Sequence, residues 1–188
     1  MPKVWVSSDT HFCHDRGFIY EPRGFSSVAE MNEAIVERWN SVVQPEDIVY
    51  LLGDIMLNDN SKGMDYLTRL NGEIHILRGN HDTDSRVRLY PISPNVVESD
   101  KVAMFLKYRG YTFYLSHYPT LTSNLDNDAP VKQHVLNLYG HTHQKSDFYQ
   151  DIPFMYHVGL DSHDCYPVDL DTVIEDIHKK VSECISQL

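Results

Sequence analysis

The sequence predicts one α/β domain, residues 1–188, in which two β-sheets pack together with helices outside. Short apolar runs alternate with stretches of helical periodicity in the first half of the chain, which is typical of a parallel sheet. Shorter strands, two of them joined as a hairpin, fill the second half. No repeat, low-complexity tract or linker divides the chain, and its length is sufficient for one substantial hydrophobic core.

The first half begins with a strand at residues 3–8, a short β-branched apolar run. A capping box at Ser27-Val28-Ala29-Glu30 then starts an amphipathic helix of about four turns. Its apolar residues recur at spacings of three and four, at Val28, Met31, Ile35, Trp39 and Val42. The apolar run Ile48–Leu52 predicts a second strand, residues near 61–70 a second helix, and Glu73–Leu77 a third strand.

The second half predicts a different arrangement, with a hairpin, two short strands and a closing helix. Arg109-Gly110 is the turn of the hairpin, and the polar stretch 122–130 is expected to be an exposed loop. The elements are expected at residues 101–107 and 111–116, Val135–Tyr139, Phe154–Val158 and 170–187.

The composition disfavours several classes of protein. With 16 basic and 27 acidic residues the formal net charge is −11, which argues against tight binding of duplex nucleic acid or an anionic membrane by bulk charge. No run approaches the ~18 apolar residues of a membrane-spanning helix, and the N-terminal apolar run is too short for a signal peptide. The three cysteines do not suggest a disulfide framework. We therefore expect a cytoplasmic protein without membrane association.

Five short polar motifs follow the predicted strands. In an open α/β sheet the carboxyl ends of the strands converge on one crevice, so these motifs are expected to meet. Residues two apart, as in the first and last motif, can direct their side chains at one ion. The motifs are Asp9-Thr10-His11, Gly53-Asp54, Gly79-Asn80-His81-Asp82, Ser116-His117 and Gly140-His141-Thr142-His143.

The side chains in these motifs offer carboxylate, amide and imidazole donors. This mixture of oxygen and nitrogen suits Mn²⁺, which we favour, or Fe, Zn²⁺ or Ni²⁺, and it is wrong for a cysteine-based structural zinc site. Seven ligands exceed the need of one ion but suit two ions that share a bridging carboxylate, an arrangement that promotes displacement at phosphorus. The candidate metal ligands are Asp9, His11, Asp54, Asn80, His117, His141 and His143.

The same five blocks, in order over residues 9–143, resemble the pattern of the calcineurin-like metallophosphoesterase superfamily. The resemblance implies an αββα fold, two sheets flanked by helices, and hydrolysis of a phosphate ester at two divalent metal ions. It implies that one metal is held by Asp9, His11 and His143, the other by Asn80, His117 and His141, with Asp54 bridging. It also implies that His81 is the catalytic general acid, which protonates the departing oxygen while a metal-bridging hydroxide attacks.

The chain departs from the family pattern in the stretch Gly53-Asp54-Ile55-Met56-Leu57. Many relatives have a second aspartate here that orients the catalytic histidine, and in protein Ser/Thr phosphatases a phosphate-binding arginine follows it. Leu57 and Asn58 can do neither, which argues against a protein phosphatase. The carboxylate that orients the catalytic histidine stays open, with Asp59 and Asp82 as candidates.

Further residues are candidates for binding the substrate. His14 extends the first motif, and a loop histidine there could contact the phosphate or simply be solvated. Arg78, before Gly79, could bind phosphate through a bidentate fork or form a salt bridge at the strand end, and Arg23 also offers such a fork. Tyr118 could stack on a nucleobase or pack against its neighbours.

These features predict hydrolysis of a small phosphodiester such as a nucleotide, because no inserted cap domain is present and specificity must come from short loops. A phosphomonoesterase and a nuclease of the same superfamily are alternatives, although the charge of −11 disfavours a polyanionic substrate. A non-catalytic protein-binding scaffold of the same fold is an alternative from a different class. Nothing in the sequence specifies an oligomeric state.

Overall fold

The computed structural model describes residues 2–122 and 129–186, and their strands form two sheets. The strands are β1 Val4–Ser7, β2 Ile48–Leu51, β3 Glu73–Leu77, β4 Val96–Lys101, β5 Ala103–Tyr108, β6 Tyr111–Ser116, β7 Val135–Tyr139, β8 Met155–His157 and β9 Val168–Asp169. The helices are α1 Gly17–Tyr20, α2 Val28–Val42, α3 Asn60–Thr68, α4 Asp84–Val87 and α5 Leu170–Ser186. None of these helices, which lie within the described residues, is long and apolar enough to cross a membrane.

The sheets confirm the predicted α/β fold of two sheets with helices. A five-stranded sheet has the order β4-β3-β2-β1-β9, and a four-stranded sheet has the order β5-β6-β7-β8. Strands β1 to β4 are parallel and β9 is antiparallel to β1. Strands β6 to β8 are also parallel, and β5 joins β6 as the predicted hairpin. Parallel strands of one sheet end at one edge, so the loops after β1, β2 and β3 are neighbours.

The structure corrects some of the predicted boundaries. The strand expected at 101–107 is divided, because Lys101 ends β4 in the first sheet and Ala103 begins β5 in the second. Strand β4 has no clear sequence signature, since VVESDK lies at a sheet edge and is mostly exposed or half-buried. The two-residue β9 is too short for any periodic pattern. Most of the predicted loop 122–130, residues 123–128, lies outside the described residues.

Two clusters of buried apolar side chains hold the layers together. The first packs α2 and α3 on one face of the five-stranded sheet, and Met31 and Trp39 of α2 are among its buried members. The second joins the opposite face of that sheet to the four-stranded sheet and to α5. Because successive strand residues point to opposite faces, Trp5 lies in the first cluster and Val6 in the second.

Helix α2 begins where the capping box predicts. The Ser27 hydroxyl accepts a hydrogen bond from the Glu30 N–H at 3.2 Å, which satisfies one of the free donors of the first turn. The Glu30 carboxylate accepts from the N–H of Ser26 at 2.8 Å, one residue earlier than in a standard capping box. Side chains of both Ser27 and Glu30 therefore stabilise the start of α2.

A buried carboxylate ties the loop after β2 to the loop after β3. Asp82 accepts hydrogen bonds from the backbone N–H groups of Asp54 and Gly79, both at 2.8 Å, and of Ile55 at 3.2 Å. It also accepts from the hydroxyl of Tyr90 at 2.5 Å. The Asp82 side chain is buried. Hydrogen bonds to a charged acceptor are among the stronger ones in proteins. Asp82 therefore joins the two loops to each other.

Candidate metal centre

Several candidate ligands lie at strand ends on backbone that most residues avoid. Their φ angles fall between 48° and 68°, for Asp9, His11, Asp54, His141 and His143. This left-handed region is uncommon for residues with a side chain, and Asp, Asn and His tolerate it better than most. The N–H groups of Asp9 and His11 donate to the carbonyls of Gly53 and Asp54, each at 3.0 Å. The loops after β1 and β2 therefore run side by side and hold each other's shape.

We call Asp9, His11 and His143 the first ligand group, because their donor atoms converge. The Nε2 atoms of His11 and His143 are 3.1 Å apart. Asp9 Oδ1 lies 3.7 Å from the His11 Nε2 and 3.8 Å from the His143 Nε2. Ligands that bind one ion at ~2.1 Å lie about 3.0–3.5 Å from each other. Small side-chain movements would therefore let this group bind one ion.

We call Asn80, His117 and His141 the second ligand group. Asn80 Oδ1 lies 2.9 Å from His117 Nε2 and 2.8 Å from His141 Nδ1. The Nδ1 atom of His117 lies 2.8 Å from the carbonyl oxygen of Leu52, which can only accept, so this nitrogen carries the ring proton. The Nε2 lone pair of His117 and the Asn80 oxygen therefore face each other, an arrangement that a cation between them would stabilise.

Asp54 lies between the two ligand groups. Its Oδ2 atom is 3.7 Å from His11 Nε2 and 3.5 Å from His117 Nε2. Its Oδ1 atom accepts a hydrogen bond from the backbone N–H of His81 at 2.8 Å. One oxygen is therefore fixed by the backbone, and the other is placed where it could bridge two ions.

The donor set fits divalent cations. Asp9 Oδ1 is buried and has no hydrogen-bond partner within the described residues, which is unfavourable for a carboxylate oxygen unless a cation binds it. Burial raises the pKa of Asp54 to about 6. Burial also opposes ionisation of Asp9, but interactions with neighbouring imidazoles, His11 above all, hold the pKa of Asp9 well below its usual value. Cations in both groups would keep both carboxylates ionised.

A buried ion pair supports the first ligand group from behind. Asp161 Oδ2 lies 2.9 Å from His143 Nδ1, which makes that nitrogen the donor and leaves Nε2 for a cation. Arg23 donates to both Asp161 oxygens, from Nε at 3.1 Å and from Nη2 at 2.8 Å. The same Nη2 donates to the carbonyl of Asp9 at 2.8 Å. The pair thus holds two members of the first ligand group at once.

His81 lines the same cavity as the ligand groups. Its Nε2 lies 3.9 Å from Oδ2 of Asp54. The two carboxylates that the sequence suggested for orienting His81 bind other groups. Asp59 caps α3 by accepting from the Lys62 N–H at 3.0 Å, and both oxygens of Asp82 hold backbone N–H groups.

The ligand groups open into a cavity of about 350 Å³. His14 lines this cavity, and its Nδ1 atom lies 3.2 Å from the Nδ1 atom of His11. Arg78 does not line it, because its Nη2 atom pairs with Asp84 Oδ1 at 2.6 Å. Of the two alternatives for Arg78, the structure shows the salt bridge at the strand end.

The sequence profile of the calcineurin-like phosphoesterase superfamily domain matches residues 3–159. The chain belongs to this superfamily. The superfamily is one of metal-dependent phosphoesterases. In this chain the first ligand group could hold a metal ion, and so could a second cluster formed by Asp9, Asp54 and His117.

Relatives of this superfamily member span nearly the same length. The uncharacterized protein MJ1445 of Methanocaldococcus jannaschii is 34% identical over 197 residues, covering 100% of this chain and 99% of that protein. The Gene 66 protein of Mycobacterium phage D29 is 28% identical over 189 residues, covering 90% of this chain and 94% of its own. The crystal structure of AQ665, a protein of unknown function from Aquifex aeolicus, has a TM-score of 0.71 at 22% identity, covering 93% and 99% of the two chains. That structure shows a shared fold alone.

The ion pair behind the first ligand group was not predicted from the sequence of this calcineurin-like protein. Arg23 is not an exposed phosphate ligand, because its side chain is 0% exposed and bound to Asp161. The two residues are 138 positions apart, so no local pattern connects them. The available signal is Gly159-Leu160-Asp161, a glycine and an acidic residue directly after a buried strand, as in the other motifs.

We expect Asp161→Asn to destabilise the protein by about 3–5 kcal/mol, because Arg23 then stays buried without a charged partner. The double variant Arg23→Met/Asp161→Leu should recover most of this stability but bind Mn²⁺ about 10–100-fold more weakly, since His143 Nδ1 has lost its acceptor. Denaturant unfolding and isothermal titration calorimetry measure the two effects.

The matched control changes an exposed arginine–carboxylate pair. Arg69 binds Glu33 at 2.6 Å, and the side chains are 47% and 58% exposed. Arg69→Met/Glu33→Leu should keep the Mn²⁺ affinity of the wild type, because this pair touches neither ligand group. The positioning role of Arg23 and Asp161 would be wrong if the buried double variant also kept full Mn²⁺ affinity.

Proposed function

We propose that the protein is a dinuclear-metal phosphodiesterase that hydrolyses a small substrate such as a nucleotide. The supporting observation is the convergence of donor atoms into two ligand groups with Asp54 Oδ2 between them. The first ligand group would hold one divalent ion, the second the other, and Asp54 would contact both. Two such ions, for which we favour Mn²⁺ over Fe, Zn²⁺ or Ni²⁺, supply Lewis acidity at the phosphoryl oxygens and activate the attacking water.

The charge of the cavity favours a diester over a monoester. Its wall, as far as the described residues form it, contains no lysine or arginine side chain. Arg23 and Arg78 are both used in ion pairs. Two divalent ions balanced by Asp9 and Asp54 leave a local charge of about +2, which the attacking hydroxide would lower to about +1. The single negative charge of a phosphodiester needs less compensation than the double charge of a monoester.

His81 is placed to protonate the leaving oxygen. Its ring lines the cavity, and its backbone N–H donates to Asp54 Oδ1, so the imidazole is positioned relative to the proposed bridging carboxylate. An imidazole is well suited to proton transfer near neutral pH. We propose that His81 transfers a proton from Nε2 to the departing alcohol oxygen.

His14 is placed to donate a hydrogen bond to the substrate phosphate. The Nδ1 atoms of His11 and His14 lie 3.2 Å apart, and with a cation on His11 Nε2 the Nδ1 of His11 would carry the ring proton and donate a hydrogen bond to His14 Nδ1. His14 then carries its own proton on Nε2, and the ring lines the cavity. We propose that this N–H group binds a phosphate oxygen.

The net charge of the chain favours a small substrate. The formal charge of −11 opposes the approach of a polyanion outside the cavity.

The cysteines bear on the compartment of the protein. Cys13, Cys165 and Cys184 are all free thiols. Free thiols suit the cytoplasm, which we propose as the location.

Loaded with Mn²⁺, the protein is expected to hydrolyse bis(4-nitrophenyl) phosphate with a higher kcat/KM than 4-nitrophenyl phosphate, because the monoester carries the larger charge. Release of 4-nitrophenolate measures both reactions. A higher value for the monoester would indicate a phosphomonoesterase. Cleavage of DNA with a steep loss of binding in added salt would indicate the nuclease alternative. No bound metal and no turnover of any ester would favour the non-catalytic scaffold.

We expect His81→Ala to lower kcat by about 10²–10⁴-fold while the metal content stays unchanged. The loss should be larger for a diester that releases phenol than for one that releases 4-nitrophenol, because the poorer leaving group depends more on protonation. The control His75→Ala removes an imidazole that stacks on Tyr50 and does not line the cavity, so it should leave both rates unchanged. Equal losses for the two leaving groups would rule out the general-acid role.

We expect His14→Ala to raise the KM for bis(4-nitrophenyl) phosphate about tenfold, because a hydrogen bond to a charged oxygen is lost. His14→Gln, which keeps an N–H donor, should recover part of this loss. The metal content of each variant distinguishes the explanations. If His14→Ala loses metal and excess Mn²⁺ restores the wild-type KM, His14 supports His11 and does not contact the phosphate.

A further inference from the structure

Two exposed aromatic side chains stand next to the metal ligands on different elements. Phe18 of α1 is 70% exposed, and Tyr118, two residues after β6, is 47% exposed. Neither is a metal ligand or a proton donor in the proposed mechanism. Their positions relative to the two ligand groups suggest what they bind.

Phe18 lies on the side of the first ligand group. It forms part of the cavity wall, and its ring meets the ring of His14 edge-on, with centroids 5.7 Å apart. His14 in turn contacts His11 through Nδ1. Most of the Phe18 ring remains open, so a second ring could pack against it at this end of the cavity.

Tyr118 lies on the side of the second ligand group. Its ring centroid is 4.7 Å from that of His141 and 5.2 Å from that of His117, in edge-to-face contacts. Its backbone carbonyl accepts a hydrogen bond from the Ser116 hydroxyl at 2.8 Å. The ring is therefore held against the second ligand group while about half of its surface stays exposed.

We propose that Phe18 and Tyr118 bind the two organic substituents of a phosphodiester through planar rings, one at each end of the site. This inference rests on the proposed function, because the phosphate would lie near Asp54, between the two ligand groups. The charged non-ester oxygens of a diester bound there would face the two ligand groups, and its two ester oxygens diverge from the phosphorus, so one substituent would extend towards Phe18 and the other towards Tyr118. The substrate class is a diester with a planar ring on both sides, and the ring could be a nucleobase or another aryl group.

The cavity wall favours rings over charged substituents. Within the described residues it offers no lysine or arginine to a second anionic group. Exposed aromatic side chains, in contrast, stack on planar rings whatever the identity of the base or aryl group. A phosphomonoester would use only one of the two aromatic residues. The arrangement therefore agrees with the charge argument for a diester, although it comes from different side chains.

Two esters that differ only in the retained group test the proposal. Phenyl 4-nitrophenyl phosphate and methyl 4-nitrophenyl phosphate both release 4-nitrophenolate, and the Mn²⁺-loaded wild type should prefer the phenyl ester in kcat/KM. Of Phe18→Ala and Tyr118→Ala, one should lower this preference about tenfold, because it removes the contact with the retained ring. The other should lower kcat/KM for both esters equally, because both carry the nitrophenyl group.

The matched control is Phe105→Ala. Phe105 is 64% exposed but lies on β5 and packs on Tyr114, with centroids 5.2 Å apart. This variant should keep the wild-type preference, and all three variants should keep the wild-type metal content. If neither Phe18→Ala nor Tyr118→Ala lowers the preference while the wild type turns over both esters, the aromatic sites are wrong and the phosphodiesterase stands. If the wild type hydrolyses neither ester, both proposals fail.

A dinucleoside monophosphate of thymidine identifies the source of the rings. If Phe18→Ala or Tyr118→Ala lowers kcat/KM for this compound as well as for the phenyl ester, the rings are nucleobases. If only the aryl ester is affected, the natural substituents are aryl groups of another kind. Either result supports the proposal. The proposal is overturned if Phe18→Ala and Tyr118→Ala both keep the wild-type kcat/KM for the phenyl ester and for the thymidine compound.

Discussion

The loops that follow β2 and β3 pack closely at two glycines, and the position of Asp54 depends on that contact. A Cβ atom on Gly53 would overlap the backbone nitrogen of Gly79, and one on Gly79 would overlap the carboxylate of Asp54. Gly53 also has a φ of 94°, which disfavours any side chain. Asp82 closes the contact by accepting hydrogen bonds from both loops. A larger residue at either glycine would therefore move the carboxylate that lies between the two ligand groups.

Five candidate ligands have left-handed backbone, with positive φ angles. Each non-glycine residue in that conformation costs on the order of 1 kcal/mol or more, and it persists only where the surrounding structure fixes it. Here the fixing groups are buried residues outside the ligand groups: Asp82 for Asp54, and Arg23 with Asp161 for Asp9 and His143. The ligands are therefore preorganised by a second set of buried polar residues, of which only Asp82 belongs to one of the five motifs.

The sequence predicted the parts of the molecule that have a local pattern. Strands β1 to β3 and helix α2 have periodic apolar residues because each packs against a buried layer, and their ends gave the positions of the candidate ligands. Edge strand β4 is largely exposed, so burial imposes no such pattern on it. The bond between Arg23 and Asp161 and the use of Asp82 as a backbone acceptor depend on how loops approach each other in three dimensions. Apart from the motif-like stretch Gly159-Leu160-Asp161, the sequence contains no signal for such contacts, and Arg23 therefore resembled a surface phosphate ligand.

In the proposed enzyme, substrate binding and metal binding are coupled through the composition of the cavity wall. An arginine or lysine in the wall would attract phosphate whether or not metal is bound, but the described wall has neither, and the chain as a whole carries −11. The positive potential that a phosphate requires must come from the ions themselves. Coupling of this kind is reciprocal, so a bound phosphate also raises the affinity of the site for metal. Because Asp9 and Asp54 repel an anion when no cation balances them, the metal-free protein would disfavour its substrate, and activity would follow the availability of the metal.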